Sequence, residues 1–198
     1  MGLAQKIPAS LIVFRAAAAP AVIVLGAGGH GTALAVLILL ATLSDIFDGI
    51  IARRLGVSTE NLRRADSIVD LVFWLATVAA LALLRPVTML ANAPVIGGAI
   101  GAEIVQQGLS VWRFGRLTAT HARSAKLFGL CLLAGFMMVA LDRDSAIAFW
   151  IVGTGAALSA LDGWAIVLLL PQWEADIPSA WDAWRLRQGR PVRRHWIG

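Results

Sequence analysis

Six apolar stretches of roughly membrane-spanning length constrain the fold of this chain more than any other feature. A bilayer core about 30 Å thick is crossed by about 20 helical residues. With 198 residues and a mean hydropathy of +0.77, the chain has too few charges to cover a water-soluble surface. The sequence therefore predicts an all-α fold, a polytopic membrane bundle of six transmembrane helices. The six stretches cover approximately residues 8–27, 31–51, 67–84, 88–112, 124–141 and 146–170.

The positive charges predict how this bundle is oriented. A formal charge of +5 would suggest nucleic-acid binding in a soluble protein, but here the Lys and Arg residues lie between apolar stretches. If six helices alternate in direction, only Arg85 and Arg143 fall on one side of the membrane, and every other Lys or Arg falls on the opposite side. Cytoplasmic loops carry the excess of Lys and Arg. We therefore expect an integral protein of the cell inner membrane with both termini in the cytoplasm and no nucleic-acid partner.

Beyond Pro171 the chain becomes polar. Trp181, Trp184 and Trp196 are interleaved with arginines there, which is typical of a short interfacial segment lying on anionic headgroups. The alternative is a solvated tail with incidental tryptophans. We predict a six-helix transmembrane domain over residues 1–171 and a cytoplasmic Trp/Arg-rich interfacial tail over 172–198.

Four aspartates stand where the second and third apolar stretches approach each other along the chain. Asp45 and Asp48 are three residues apart, and Asp66 and Asp70 are four apart, so each pair shares one helix face. A short loop joins the two helices, so the two faces can oppose each other. Carboxylates at a membrane boundary are costly and also repel one another. Something must therefore neutralise this cluster.

Two divalent cations would balance four carboxylates. All-oxygen ligation suits Mg²⁺ or Mn²⁺ better than zinc, and no Cys/His set that would hold zinc is found in this sequence. The alternative is a cytoplasmic salt-bridge cluster with the nearby arginines, which are Arg53, Arg54, Arg63 and Arg64.

The arrangement of these residues resembles the signature of the CDP-alcohol phosphotransferase family. The match consists of Asp45, two residues, Asp48-Gly49, two residues, Ala52-Arg53, and then Asp66, three residues, Asp70. The family keeps a glycine four residues before its third aspartate, where this chain has Leu62. Six helices with cytoplasmic termini also agree with the architecture of the family. A weaker likeness is the opening of the first helix, which includes Arg15 and Pro20.

The resemblance implies transfer of a substituted phosphate from a CDP-linked donor to an alcohol, with release of CMP. Residues 1–171 would then form the catalytic domain. By the same resemblance Asp45, Asp48 and Asp66 would bind the two metal ions. Asp70 would both contact metal and act as the base that deprotonates the acceptor hydroxyl.

The resemblance also suggests where substrates bind. The residues implied to contact the cytidine nucleotide are Gly49, Ala52 and Arg53. Leu62 puts a bulky side chain beside this pocket, so we expect an unusual donor preference. A basic group could bind an anionic acceptor or could be ordinary cytoplasmic charge, and its members are Arg113, Arg116, Arg123 and Lys126.

The position of the site at the membrane edge favours CDP-diacylglycerol as the donor, because a lipid can enter such a site laterally. A soluble CDP-alcohol donor with a diacylglycerol acceptor is the alternative within this class. Two other functions are alternatives to this enzyme class. One is an ion-binding membrane transporter that uses the aspartates, and the other is a catalytically silent relative of the family. Homodimerisation is implied by the resemblance alone. We expect structural roles for Glu103 and Asp162, which lie within apolar stretches.

Overall fold

Eight helices form the part of the chain that the structure describes. The computed structural model describes residues 3–54, 60–118 and 122–190, and within these ranges the side chains of 10–47, 65–66, 68–118 and 122–190. No strand is found in these ranges. The helices are α1 (Leu3–Ala27), α2 (Gly31–Arg54), α3 (Glu60–Leu84), α4 (Pro86–Ala91), α5 (Ala93–Phe114), α6 (Arg123–Ala140), α7 (Ser145–Leu169) and α8 (Ala180–Arg187).

Six of these helices are at least 18 residues long and coincide with the six predicted stretches. Among the described residues, Ser10–Ala27, α6 and α7 are long and apolar enough to cross a membrane. The apolar parts described for α2 and α3 are Gly31–Phe47 and Ile68–Leu84. The predicted all-helical membrane bundle is confirmed, whereas its orientation stays a prediction.

The fourth predicted stretch, 88–112, is two helices rather than one. Helix α4 ends at Ala91, and Asn92 precedes α5 with φ −105° and ψ 12°. Pro94 lies in the first turn of α5, where its missing N–H costs no helical hydrogen bond. Pro86 likewise begins α4. The break at Asn92, just before Pro94, therefore divides this stretch into a short helix and a long one.

The described chain divides into two compact units. Unit 1 contains the described residues up to Leu90 together with Phe136–Ser145, and unit 2 contains Ala91–Gly135 and the described residues from Ala146 onward. In unit 1, α1 packs against both α2 and α3. Gly26 allows α1 and α3 to approach closely, because a Cβ there would collide with the backbone carbonyl of Ala80 on α3. Gly29, with φ 75°, makes a tight turn between α1 and α2.

In unit 2, helix α8 is fixed to the helices that precede it. Asp162 on α7 accepts hydrogen bonds from the Ser124 hydroxyl at 2.7 Å and from the backbone N–H of Ala180 at 2.8 Å. Ser179 caps α8 by accepting a bond from the Asp182 N–H. These contacts are consistent with the structural role expected of Asp162. The division of the chain at residue 171 stays a prediction, and Trp196 lies outside the described residues.

Candidate functional site

The candidate site lies where the buried faces of α1, α2 and α3 meet in unit 1. The buried face of α1 carries Ile12, Arg15, Ala18, Ala19 and Val22, which recur at helical spacing. Arg15 is the only charged residue among these five, and it is fully buried. Its position on this face directs the side chain toward α2 and α3.

The aspartates continue the buried faces of their own helices. On α2, Asp45 lies four residues beyond buried Ala41 and seven beyond buried Ile38, on the same helix face. On α3, Asp66 and Asp70 precede buried Phe73 and Thr77 at spacings of three and four residues. Because α1 packs against both helices, the three carboxylates and the guanidinium come together.

A single nitrogen of Arg15 contacts all three carboxylates. Nη1 lies 2.6 Å from Oδ1 of Asp45, 3.2 Å from Oδ1 of Asp66 and 3.1 Å from Oδ1 of Asp70. Nη1 donates a hydrogen bond to Asp70. Oδ1 of Asp66 is buried and accepts no hydrogen bond within the described part of the chain. The carboxylates retain about a third of their exposure, between 33% and 37%, whereas Arg15 has none.

The chemistry of these oxygens fits a hard divalent cation. Three carboxylates against one guanidinium leave a formal excess of negative charge, and all-oxygen ligation suits Mg²⁺ or Mn²⁺. The buried oxygen of Asp66 accepts no hydrogen bond among the described residues, so its lone pairs also suit such a cation. The described residues nevertheless contain no group of three or more acidic, His or Cys side chains arranged as a metal site. Their carboxylates are arranged around the guanidinium instead.

Several predicted site residues lie outside the side chains that the structure describes. Asp48, Gly49, Ala52 and Arg53 belong to α2, and Leu62 to α3, but their side chains are not described. The arginines of the alternative salt-bridge cluster, at 53, 54, 63 and 64, are also among these residues. The predicted fourth ligand and the nucleotide contacts therefore stay predictions.

The basic residues predicted for the acceptor belong to unit 2 and make contacts of different kinds. Arg113 donates from Nη2 to the carbonyl oxygen of Leu170 at 3.0 Å, and its guanidinium lies 5.4 Å from the Phe114 ring centroid. Arg116 lies 5.4 Å from the Trp173 ring centroid. Arg113 and Arg116 thus support local structure in this unit.

Arg123 and Lys126 begin α6 and have exposed side chains. Arg113 and Arg116 are exposed as well, so all four predicted acceptor residues are accessible from outside the unit. Their role in acceptor binding stays a prediction.

Arg15 is the residue of this centre that reasoning from the sequence does not assign to the site. The sequence places it only among the cytoplasmic positive charges and in the likeness of the first helix. The available signal was an arginine inside an apolar stretch, at helical spacing from Ile12, Ala18 and Val22. A charge on the buried face of a membrane helix requires partners, and the aspartates are the partners it has.

Fold and site together define an all-helical membrane protein with a buried arginine and three aspartates at one centre. The profile of the CDP-alcohol phosphatidyltransferase family matches residues 5–161. Because this match covers most of the chain, the protein belongs to that family, and its membership confirms the resemblance. No curated protein and no solved structure matches the chain in the corresponding comparisons. The family is one of transferases, so membership supports phosphatidyl transfer from a CDP-alcohol in phospholipid synthesis.

Proposed function

We propose that this protein transfers a phosphatidyl group from CDP-diacylglycerol to a small alcohol and releases CMP. The observation that carries the proposal is the convergence of Asp45, Asp66 and Asp70 on one point, in a chain of the CDP-alcohol phosphatidyltransferase family. The proposed acceptor is a small alcohol such as glycerol phosphate, serine or an inositol phosphate. By its charge distribution the protein is proposed to work at the cytoplasmic face of the inner membrane.

The proposed metal ligands are Asp45, Asp48, Asp66 and Asp70. When bound, two Mg²⁺ or Mn²⁺ ions would polarise the donor phosphorus and offset the charge of the departing phosphate. Asp70 is proposed to take the proton of the acceptor hydroxyl at a carboxylate oxygen. The acceptor oxygen then bonds to the phosphorus that carries the diacylglycerol group, and the bond from that phosphorus to CMP breaks.

The remaining residues are proposed to position the substrates. The small residues Gly49 and Ala52 leave room for the cytidine nucleotide, and Arg53 steadies its phosphate oxygens with a planar fork of donors. An anionic acceptor would be attracted by exposed Arg123 and Lys126. Arg113 and Arg116 complete the proposed acceptor group. Leu62 is expected to change the donor preference because it stands where the family keeps glycine.

A turnover assay tests the proposal. The purified protein in detergent micelles is supplied with Mg²⁺, CDP-diacylglycerol and one labelled alcohol at a time, and CMP and the lipid product are measured. We expect CMP release with at least one alcohol, loss of release in excess EDTA, and recovery when Mg²⁺ or Mn²⁺ is restored.

Control reactions separate the alternatives. A soluble CDP-alcohol with diacylglycerol as acceptor tests the reverse arrangement of lipid and alcohol. Failure to release CMP with any donor and acceptor pair would contradict the proposal and favour a catalytically silent relative. Ion flux into proteoliposomes without CMP release would favour the transporter.

A further inference from the structure

The guanidinium of Arg15 occupies the point on which the aspartates of the site converge. We propose that Arg15 is the internal counter-ion of the aspartate cluster and gives up this point when a divalent cation binds, so that arginine and metal compete for the same oxygens. The inference rests on the proposed function, because that proposal assigns the metal to these aspartates. It adds a residue of α1 to a site otherwise built from α2 and α3.

Hydrogen-bond geometry makes Arg15 an imperfect partner for three carboxylates. A terminal guanidinium nitrogen carries two hydrogens, yet Nη1 faces one oxygen from each of Asp45, Asp66 and Asp70 at 2.6–3.2 Å. The bond to Asp70 is well formed, whereas Oδ1 of Asp66 remains buried without a hydrogen bond among the described residues. An ion that accepts several oxygen ligands at once satisfies such a cluster better than a two-hydrogen donor does.

The net charge of the cluster and the solvent exposure of its aspartates also favour binding of a divalent cation. One guanidinium leaves three carboxylates with a formal charge of −2, so a second positive charge is favoured here. The aspartates are about a third exposed and therefore reachable from water, whereas Arg15 is completely buried on their inner side. The arginine side chain has several rotatable bonds, so its charged group can move while α1 stays packed.

The test compares the wild type with Arg15→Met and Arg15→Lys in detergent, and uses Arg85→Met as a matched control for loss of an arginine from the same unit. Thermal unfolding is followed across a Mg²⁺ titration, and binding of Mn²⁺ alone is measured by electron paramagnetic resonance. We expect Arg15→Met to unfold at a lower temperature than the wild type without divalent cation, and saturating Mg²⁺ to remove most of that difference. The Mn²⁺ dissociation constant should fall about tenfold or more in Arg15→Met, less in Arg15→Lys, and not at all in Arg85→Met.

Two results would overturn the inference. Equal Mn²⁺ dissociation constants in the wild type and Arg15→Met would show that the arginine and the metal do not compete. A stability loss in Arg15→Met that persists in full at saturating Mg²⁺ would show that Arg15 stays beside the carboxylates when the ion is present.

The experiment remains decisive if Arg15→Met does not fold without metal. Recovery of folded Arg15→Met only when Mg²⁺ is present throughout purification would support the inference. Failure in both conditions, with a wild-type Mn²⁺ dissociation constant for Arg15→Lys, would contradict it. If wild-type protein binds no Mn²⁺ and releases no CMP, the proposed function itself is wrong, whereas normal turnover with equal Mn²⁺ affinities removes only the role of Arg15.

Discussion

Among the described residues of unit 1, Arg15 and Arg85 both contact aspartates, and their surroundings differ. Arg15 lies inside α1 with no exposed surface, and its one nitrogen contacts carboxylates from α2 and α3. Arg85 lies between α3 and α4, and its side chain is 34% exposed. Its Nη2 lies 3.3 Å from Oδ2 of Asp142, whose side chain is 70% exposed. The fully buried guanidinium of Arg15 contacts three carboxylates that are about a third exposed, whereas half-buried Arg85 contacts one exposed carboxylate.

This contrast leads us to propose that the Arg15 contacts have a function beyond stability. An exposed ion pair contributes about 0–1 kcal/mol. A buried cluster of charges is costly to form, and removing one partner costs about 3–5 kcal/mol because the others are left buried. Apolar side chains would fill the space around Arg15 at lower cost. We therefore propose that the four charges there serve chemistry, in agreement with membership of a transferase family.

The largest expected effect comes from removing the proposed base. Asp70→Asn preserves the shape of the side chain but cannot take a proton, so we expect CMP release to fall about 10²–10⁴-fold. Asp142→Asn is the matched control from the surface pair, and its backbone at φ 56° suits asparagine as well as aspartate. Measuring CMP release for both variants checks the prediction. Comparable activity in Asp70→Asn and the wild type would exclude Asp70 as the base.

A smaller effect is expected from the glycine that brings α1 close to α3. Gly26 lies on the same face of α1 as Arg15, and a Cβ there meets the carbonyl of Ala80. We expect Gly26→Ala to lower the free energy of unfolding by about 1–3 kcal/mol, because the two helices must separate. Thermal unfolding in detergent measures this change.

Gly97→Ala is the matched control for that experiment. Gly97 is also helical, on α5, but no atom lies within 4 Å of a Cβ built there. Alanine is favoured over glycine in a helix by about 1 kcal/mol, so stability should stay level or rise. If Gly26→Ala were as stable as Gly97→Ala, close packing would not be what holds Arg15 against α3.

The fold could be predicted largely from the sequence because the membrane imposes one simple rule. Apolar segments of about 20 residues become helices whatever their detailed sequence, and the described helices follow the predicted stretches. The break at Asn92 was missed since hydropathy averages over a window in which one proline changes little. Pro94 acts through local hydrogen bonding, which a hydropathy pattern does not record.

The site could be predicted only in part. Spacing along one helix identified Asp66 and Asp70 as neighbours, and the loop between α2 and α3 suggested Asp45 as their partner. The contact with Arg15 joins residues 55 apart in sequence, and no spacing rule connects positions so distant. It depends on how α1 packs, which small residues such as Gly26 and Ala18 determine through tertiary contacts.

The smallest expected effect concerns the surface pair and completes the comparison of the two arginines. We expect Arg85→Met and Asp142→Asn each to change the free energy of unfolding by less than about 1 kcal/mol, and a double-mutant cycle to give a coupling energy of about 0.2–1 kcal/mol that declines at high salt. The physical reason is that water screens both partners, so little is lost when they separate. Thermal unfolding of the wild type, both single variants and the double variant at low and high NaCl measures the coupling. A coupling above about 2 kcal/mol that salt does not reduce would mean that Arg85 and Asp142 are shielded like the Arg15 cluster, and burial would no longer distinguish the two arginines.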